Sequence, residues 1–181
     1  GSPTLWTTKR AMQSFNTTRY LFGAPIPVGF AFKRPWEGGH SNLSQHYAGL
    51  AFDVGQNLTT AERNSMRNLA INSGIWNYVE PASLTPRWVH FDERQVASGF
   101  PLVRQGSRGV YVCILQDGLT TLGYNTGGLD GVFGAQTNSS VREFQRRKGL
   151  VVDGLVGANT WNVLQSQVVG RGASSTTVLP T

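Results

Sequence analysis

The chain has 181 residues and a formal charge of 16 − 10 = +6, a length that suits one ordinary domain or two small ones. A hydrophobic share of 39%, with 9 Phe, 5 Tyr and 5 Trp, excludes a disordered chain, a coiled coil and a collagen-like repeat. No apolar run approaches the length of a membrane-spanning helix, and the one cysteine, Cys113, excludes an internal disulfide and any Cys-rich zinc module.

In chain order, residues 5–19 are expected to form a helix with Leu5, Met12 and Phe15 on its apolar side. Short runs around 26–32, 49–54, 76–79 and 87–92 have the composition of strands. Between them, Thr59-Thr60-Ala61-Glu62 is a capping box; the helix it opens carries Met66, Leu69 and Ala70 inward and stops at Gly74. This is an α+β pattern with a small antiparallel sheet. Residues 95–103 contain Gly99 and Pro101 and read as a connector, with the domain boundary near residue 100.

A repeat follows. Asp130-Gly131-Val132-Phe133-Gly134-Ala135-Gln136-Thr137 recurs 23 residues later as Asp153-Gly154-Leu155-Val156-Gly157-Ala158-Asn159-Thr160. Each copy leads into a helix-like segment ending in an apolar residue and Gln, through Phe144-Gln145 and Leu164-Gln165. A third such segment, Val112 to Gln116, precedes them. The spacing places apolar residues on one helical face, so residues 104–168 are expected to be a small all-α module of three helices around one core. Cys113 lies within the first segment and reads as a small core residue. Residues 169–181 are small and polar and are expected to be a flexible tail. The divisions are thus 1–98, 99–168 and 169–181.

The cations are spread evenly: nine against six acids over 1–98, and seven against four over 99–181. A nucleic-acid binder concentrates its charge in a stripe, so no nucleic-acid partner is expected. Nothing in the sequence points to an obligate dimer, and a monomer is expected.

The residues with chemistry to offer sit in the N-terminal part. In Ser44-Gln45-His46-Tyr47-Ala48-Gly49-Leu50-Ala51-Phe52-Asp53, strand alternation sends Leu50, Phe52 and Val54 to the core and Gly49, Ala51 and Asp53 to the opposite face. The two small residues leave room above Asp53. In Arg87-Trp88-Val89-His90-Phe91-Asp92, Val89 and Phe91 face the core while Trp88, His90 and Asp92 face away. If the two strands pair, His46, Asp53 and His90 converge, and two imidazoles with one carboxylate are three zinc ligands with a fourth position left for water.

The spacing Ser44-x-His46-x-x-Gly49-x-Ala51-x-Asp53, followed by Trp88-Val89-His90-Phe91-Asp92, resembles the zinc motif of the D-Ala-D-Ala carboxypeptidase and endolysin peptidase family. The resemblance covers roughly residues 22–94. It implies a hydrolase, a zinc metallopeptidase that cuts peptide bonds of the peptidoglycan stem or cross-bridge, with one zinc ion held by His46, Asp53 and His90. Many members carry their general base two or three residues before the last ligand; here Arg87 and Trp88 stand there. Asp92 and Glu80 are the alternative proton carriers. Arg34 stands where relatives often have an arginine and is expected to clamp a substrate carboxylate or a developing oxyanion. Ser44 and Trp88 are expected to contact substrate, and His40 to be a solvated loop residue.

The three-helix segment, with Arg108-Gly109, Asp130-Gly131-Val132-Phe133-Gly134, Phe144-Gln145, Gly149-Leu150, Asp153-Gly154 and Thr160-Trp161, is similar to the peptidoglycan-binding family found beside cell-wall hydrolases. Together the two resemblances imply a secreted, wall-associated hydrolase tethered to peptidoglycan by its C-terminal module, no signal peptide being present in this chain. The alternative is a non-catalytic peptidoglycan-binding protein with a degenerate zinc site.

Overall fold

The computed structural model describes residues 4–173. The chain forms two compact units, a sheet unit of residues 1–32 and 49–95 and a helical unit of residues 33–48 and 96–181. The second cut falls close to the connector expected from sequence. The assignment of 33–48 to the helical unit was not expected, and its cause is a set of long-range hydrogen bonds given below.

In the sheet unit, α1 (Lys9–Phe22) begins where the Thr8 hydroxyl accepts a hydrogen bond from the Ala11 amide, and it ends at Gly23 with φ 73°. This cap sets the start later than residue 5, and Leu5 and Met12 are exposed. The buried face is instead Ala11, Ser14 and Thr18. Two polar residues are tolerated there because they are partnered. Ser14 donates to Glu93 Oε1 at 2.5 Å, and Thr18 Oγ1 accepts from Trp76 Nε1 at 2.9 Å.

Helix α2 (Thr60–Ser73) opens with both halves of the Thr59–Glu62 capping box in place and stops at Gly74. Met66 and Ala70 are buried as expected, and so is Arg67. Its guanidinium donates to the carbonyls of Glu80, Thr85 and Trp88 at 2.8–3.1 Å. One helix thereby fixes the chain at the entrance to the last strand.

Strands β1 (Val28–Phe30), β2 (Ala51–Val54), β3 (Tyr78–Val79) and β4 (Val89–Asp92) form one antiparallel sheet in the order β1-β2-β4-β3. On one face Phe52 stacks on Phe15 at 4.6 Å between ring centroids, and Phe91 stacks on Trp76 at 4.2 Å. Burial of each such ring contributes about 1.5–3 kcal/mol. This aromatic layer forms the apolar face of the sheet, and the opposite face carries polar groups.

In the helical unit, α3 (Val110–Thr121), α4 (Ala135–Arg147) and α5 (Ala158–Val168) surround a core of Ile114, Leu115, Leu119, Phe133, Val141, Phe144, Trp161 and Leu164. The repeat has a physical basis in two buried glutamines. Gln116 donates to Asp130 Oδ1, the Val132 carbonyl and Thr137 Oγ1, and accepts from the amides of Asp130 and Gly131. Gln145 donates to Asp153 Oδ1, the Leu155 carbonyl and Thr160 Oγ1, and accepts from the Gly154 amide. Each helix thus grips the loop that follows it. Cys113 is half-buried, and its Sγ lies 3.0 Å from where a Cβ on Gly131 would be.

The tail is not flexible from its first residue. The Gly170 amide donates to the Pro35 carbonyl at 3.1 Å, and Arg171–Ala173 form a 3₁₀ turn. Residues 174–181 of the expected tail lie outside the described residues.

Candidate functional site

The polar face of the sheet follows from strand register. Asp53 of β2 pairs with His90 of β4, and Ala51 pairs with Asp92. Tyr78 of β3 pairs with Asp92 from the other side, and the Glu80 amide donates to the His90 carbonyl at 2.9 Å. Directly opposed residues share a face, so two rows cross the sheet. One is Asp53–His90–Glu80 and the other is Ala51–Asp92–Tyr78. The pairing of the two motif strands is therefore the one alternation required.

His90 bonds within its own row and to the next. His90 Nδ1 lies 2.8 Å from Asp53 Oδ1, and His90 Nε2 lies 2.8 Å from Asp92 Oδ2. Burial by itself disfavours the imidazolium, but the hydrogen bonds to Asp53 and Asp92 outweigh it and raise the His90 pKa to about 9. Below that pH, and without a metal, both ring nitrogens carry protons and donate to the carboxylates.

Asp92 is wholly buried. Its Oδ1 accepts from the Arg94 amide and from Arg94 Nε, and its Oδ2 accepts from Arg94 Nη2 at 2.6 Å besides His90. Burial pushes its pKa up, and the bonds from Arg94 and His90 overcome this and hold it below the ordinary value. A carboxylate has about four acceptor positions, and here all are filled. Asp92, expected as one of two proton carriers, is thus built as the support of His90.

Arg94 itself lies over the Tyr78 ring, 3.5 Å from its centroid. Sequence reading missed Arg94 and Tyr78. The signal was available in the alternation of His90, Asp92 and Arg94. Glu80, the other expected proton carrier, stands half-buried opposite His90. Its backbone is pinned on both sides, by its amide to His90 and by its carbonyl to Arg67. Trp88, expected to contact substrate, is half-buried, with its carbonyl held by Arg67.

Gly49 has a different role from the one expected. Its φ is 70°, and a Cβ there would stand 1.9 Å from the Trp6 carbonyl oxygen. The residue is glycine because the chain passes Trp6, not to make space above Asp53.

The remaining motif residues belong to segment 33–48 of the helical unit. Ser44 Oγ accepts from the His46 amide at 3.3 Å, so it caps the turn that delivers His46. His46 is buried, and the His40 ring stacks on it with centroids 4.3 Å apart and planes 27° apart. One ring nitrogen of each lies within 4.8 Å of the other. His40 is therefore half-buried against a second imidazole rather than solvated. The Tyr47 hydroxyl accepts from the His40 amide at 3.2 Å.

Arg34, expected as a substrate clamp, is paired within the helical unit. Its Nε donates to Asp117 Oδ2 at 3.0 Å and its Nη2 donates to Asp117 Oδ1. Its hydrogen bonds to Asp117 raise its pKa against the opposing effect of burial.

A divalent ion such as zinc takes imidazole nitrogen and carboxylate oxygen. His90 offers Nδ1 beside Asp53 while its Nε2 is anchored on a buried carboxylate, the arrangement that orients metal-binding histidines. The donor chemistry of the sheet unit fits such an ion, and His46 and His40 supply imidazoles of the same kind.

Comparison with known proteins reaches the helical unit. Residues 108–164 match the family model described as "Putative peptidoglycan binding domain". The spore cortex-lytic enzyme of Bacillus cereus is 44% identical over 63 residues, covering 35% of this chain and 24% of that protein. The N-acetylmuramoyl-L-alanine amidase CwlM of Mycobacterium tuberculosis is 45% identical over 49 residues, 27% of this chain and 12% of that protein. The chain thus spans about a quarter or less of the length of these relatives. Among solved structures, the SleB N-terminal domain is 41% identical with a TM-score of 0.37, covering 38% of this chain and 93% of that domain.

Proposed function

We propose that the protein is a zinc-dependent peptidase acting on peptide bonds of the peptidoglycan stem or cross-link, held to the wall by its helical unit. The observation that supports this best is the hydrogen-bonded set Asp53–His90–Asp92, which occupies positions resembling the motif of the peptidase family and lies on the polar face of a sheet. The match of residues 108–164 points to the same polymer. Holding an enzyme on an insoluble substrate raises the local concentration of scissile bonds.

In this reading His46, Asp53 and His90 hold one zinc ion. When bound, zinc lowers the pKa of water and polarises a scissile carbonyl. Asp92 fixes the tautomer and direction of His90, and Arg94 fixes Asp92. Glu80 moves the proton, from the attacking water to the leaving amine. Its place opposite His90 favours it over Asp92, whose oxygens are occupied. Arg34 serves the segment that carries His46 through Asp117, rather than the substrate.

The experiment is mass spectrometry of purified peptidoglycan treated with the protein, with zinc and with a chelator. Fragments that disappear with chelator are expected, and their masses identify the bond. The Glu80→Gln variant is expected to lose a factor of about 10²–10⁴ in rate, as a general acid–base group does. Fragments that persist at the parent rate in Glu80→Gln overturn the proton assignment. A second reading, a wall-binding protein without catalysis, is favoured by Arg87 and Trp88 standing where the peptidase family often carries its general base. Co-sedimentation with the wall and no fragments from the parent protein would establish it.

A further inference from the structure

We infer that Asp117 is a positioning residue for the histidine-bearing segment 33–48. The helical unit then does more than hold the wall: it sets the loop that carries His46, within its own fold. This rests on the peptidase reading for its consequence, and on the following contacts for its substance.

Asp117 lies on α3, inside the module whose sequence matches a wall-binding domain. Its side chain is only 4% exposed. A carboxylate buried to that degree is costly unless it is paired and hydrogen-bonded. Its two oxygens are met by two nitrogens of one guanidinium, that of Arg34. Its partner lies 83 residues away in the chain, in segment 33–48, so the pair ties that segment to α3.

From Arg34 the contacts run to the histidines. The Arg34 amide donates to Glu37 Oε2 at 2.7 Å, closing the 3₁₀ turn Pro35–Glu37. The neighbouring Lys33 amide donates to the carbonyl of His46 at 3.3 Å. Beside His46, Gln45 is buried; it donates to the Gly99 carbonyl at 2.8 Å and accepts from the Tyr111 hydroxyl of α3 at 2.8 Å. Gln165 of α5, fully buried, donates to the Asn42 carbonyl at 2.9 Å. The third glutamine of the repeat thus grips segment 33–48 where the first two grip their own loops. The segment is held at Arg34, Asn42 and Gln45, and Asp117 is the only charged group in that set supplied by the helices.

The test uses the full chain and the variants Asp117→Ala, Asp117→Asn and Asp117→Glu. Amide hydrogen exchange is followed in 33–48, at Lys33, Glu37, Gly38 and Tyr47, and at Gly131 and Gly154 as internal references. Asp117→Ala is expected to speed exchange in 33–48 at least tenfold while Gly131 and Gly154, held by Gln116 and Gln145, stay within twofold. Asp117→Glu is expected to restore part of the protection. Hydrolysis of a soluble stem peptide, which needs no wall attachment, is expected to fall at least tenfold in kcat in Asp117→Ala, with KM little changed.

Should Asp117→Ala fail to fold, Asp117→Asn decides the matter, since it keeps size and shape and removes only the charge. Unchanged exchange in 33–48 in a folded Asp117→Ala or Asp117→Asn overturns the inference. A parent protein that cleaves nothing counts against the peptidase reading alone, because the exchange measurement still reports on Asp117.

Discussion

The two units bury polar side chains on opposite plans. In the helical unit Gln116 and Gln145 are neutral groups, and each satisfies donors and acceptors of the loop that follows its own helix. On the polar face of the sheet unit the buried groups are charged, and His90 is bracketed by two carboxylates, one of them locked by Arg94. The neutral plan is repeated within one module and serves packing. The charged plan of the sheet unit gathers three ionisable groups on one face of a sheet, whereas the buried ion pair of the helical unit, Arg34–Asp117, is a single pair. Buried neutral networks specify a fold, whereas a buried imidazole between carboxylates is a site whose state depends on protons or a cation.

The largest effect that separates the units concerns two glycines. Gly49 in the sheet unit and Gly149 in the helical unit have similar φ values, 70° and 67°. A Cβ on Gly49 would strike the Trp6 carbonyl, whereas a Cβ on Gly149 would meet nothing within 4 Å. Gly149→Ala is therefore expected to cost only the left-handed penalty, about 1–2 kcal/mol. Gly49→Ala should cost about 4 kcal/mol or more, because backbone rather than a flexible side chain must move. Urea titration of both variants checks this. Equal losses would show that the passage at Trp6 is not what demands glycine.

Next in size is Gln145→Ala. It strips the buried Gly154 amide of its partner and leaves the Leu155 carbonyl only the longer bond from Thr160 Oγ1 at 3.5 Å. The expected cost is about 2–4 kcal/mol, the range for buried groups left unsatisfied. Gln116→Ala should match it within about 1 kcal/mol if the repeat is energetic as well as geometric. A twofold difference between them would mean that only one loop is held in this way.

What was legible in the sequence divides along the same line. Periodic signals mark the three helices and the outward faces of Asp53 and His90, since alternation and apolar spacing are properties of contiguous residues, whereas the pairing of the two strands enters the sequence reading only as a condition. The capping box at Thr59 was legible for the same reason. The start of α1 was misread because the inward face holds Ser14 and Thr18, whose partners Glu93 and Trp76 are far along the chain. Arg34 was read as a clamp because its partner Asp117 is 83 residues distant, and nothing local marks a carboxylate as buried. The proton carriers were left open between Asp92 and Glu80 for a similar reason. Only the Arg94 contacts show that Asp92 has no acceptor position to spare.

The smallest expected effect tests the charged plan directly. The His90 pKa is raised from 6.5 to about 9 in the protein without metal. A group with a raised folded pKa contributes stability that is complete below its unfolded value and is lost as pH rises through the folded one. Chelator-treated protein should therefore lose on the order of 2 kcal/mol between pH 6.5 and 9.5, read from urea midpoints across that range. Asp53→Asn should flatten the slope, since it removes one of the two carboxylates that favour the proton. Asp92, held below its ordinary value, acts at the other end: its contribution is present above about pH 4 and lost as pH falls through its folded value. Added zinc should reverse the alkaline loss, because a metal and a proton compete for an imidazole nitrogen and metal binding strengthens as the proton leaves. A flat alkaline profile without metal would mean that His90 is not held as an imidazolium between Asp53 and Asp92. An alkaline loss that zinc leaves untouched would mean that the row is a structural ion pair and not a metal-binding one.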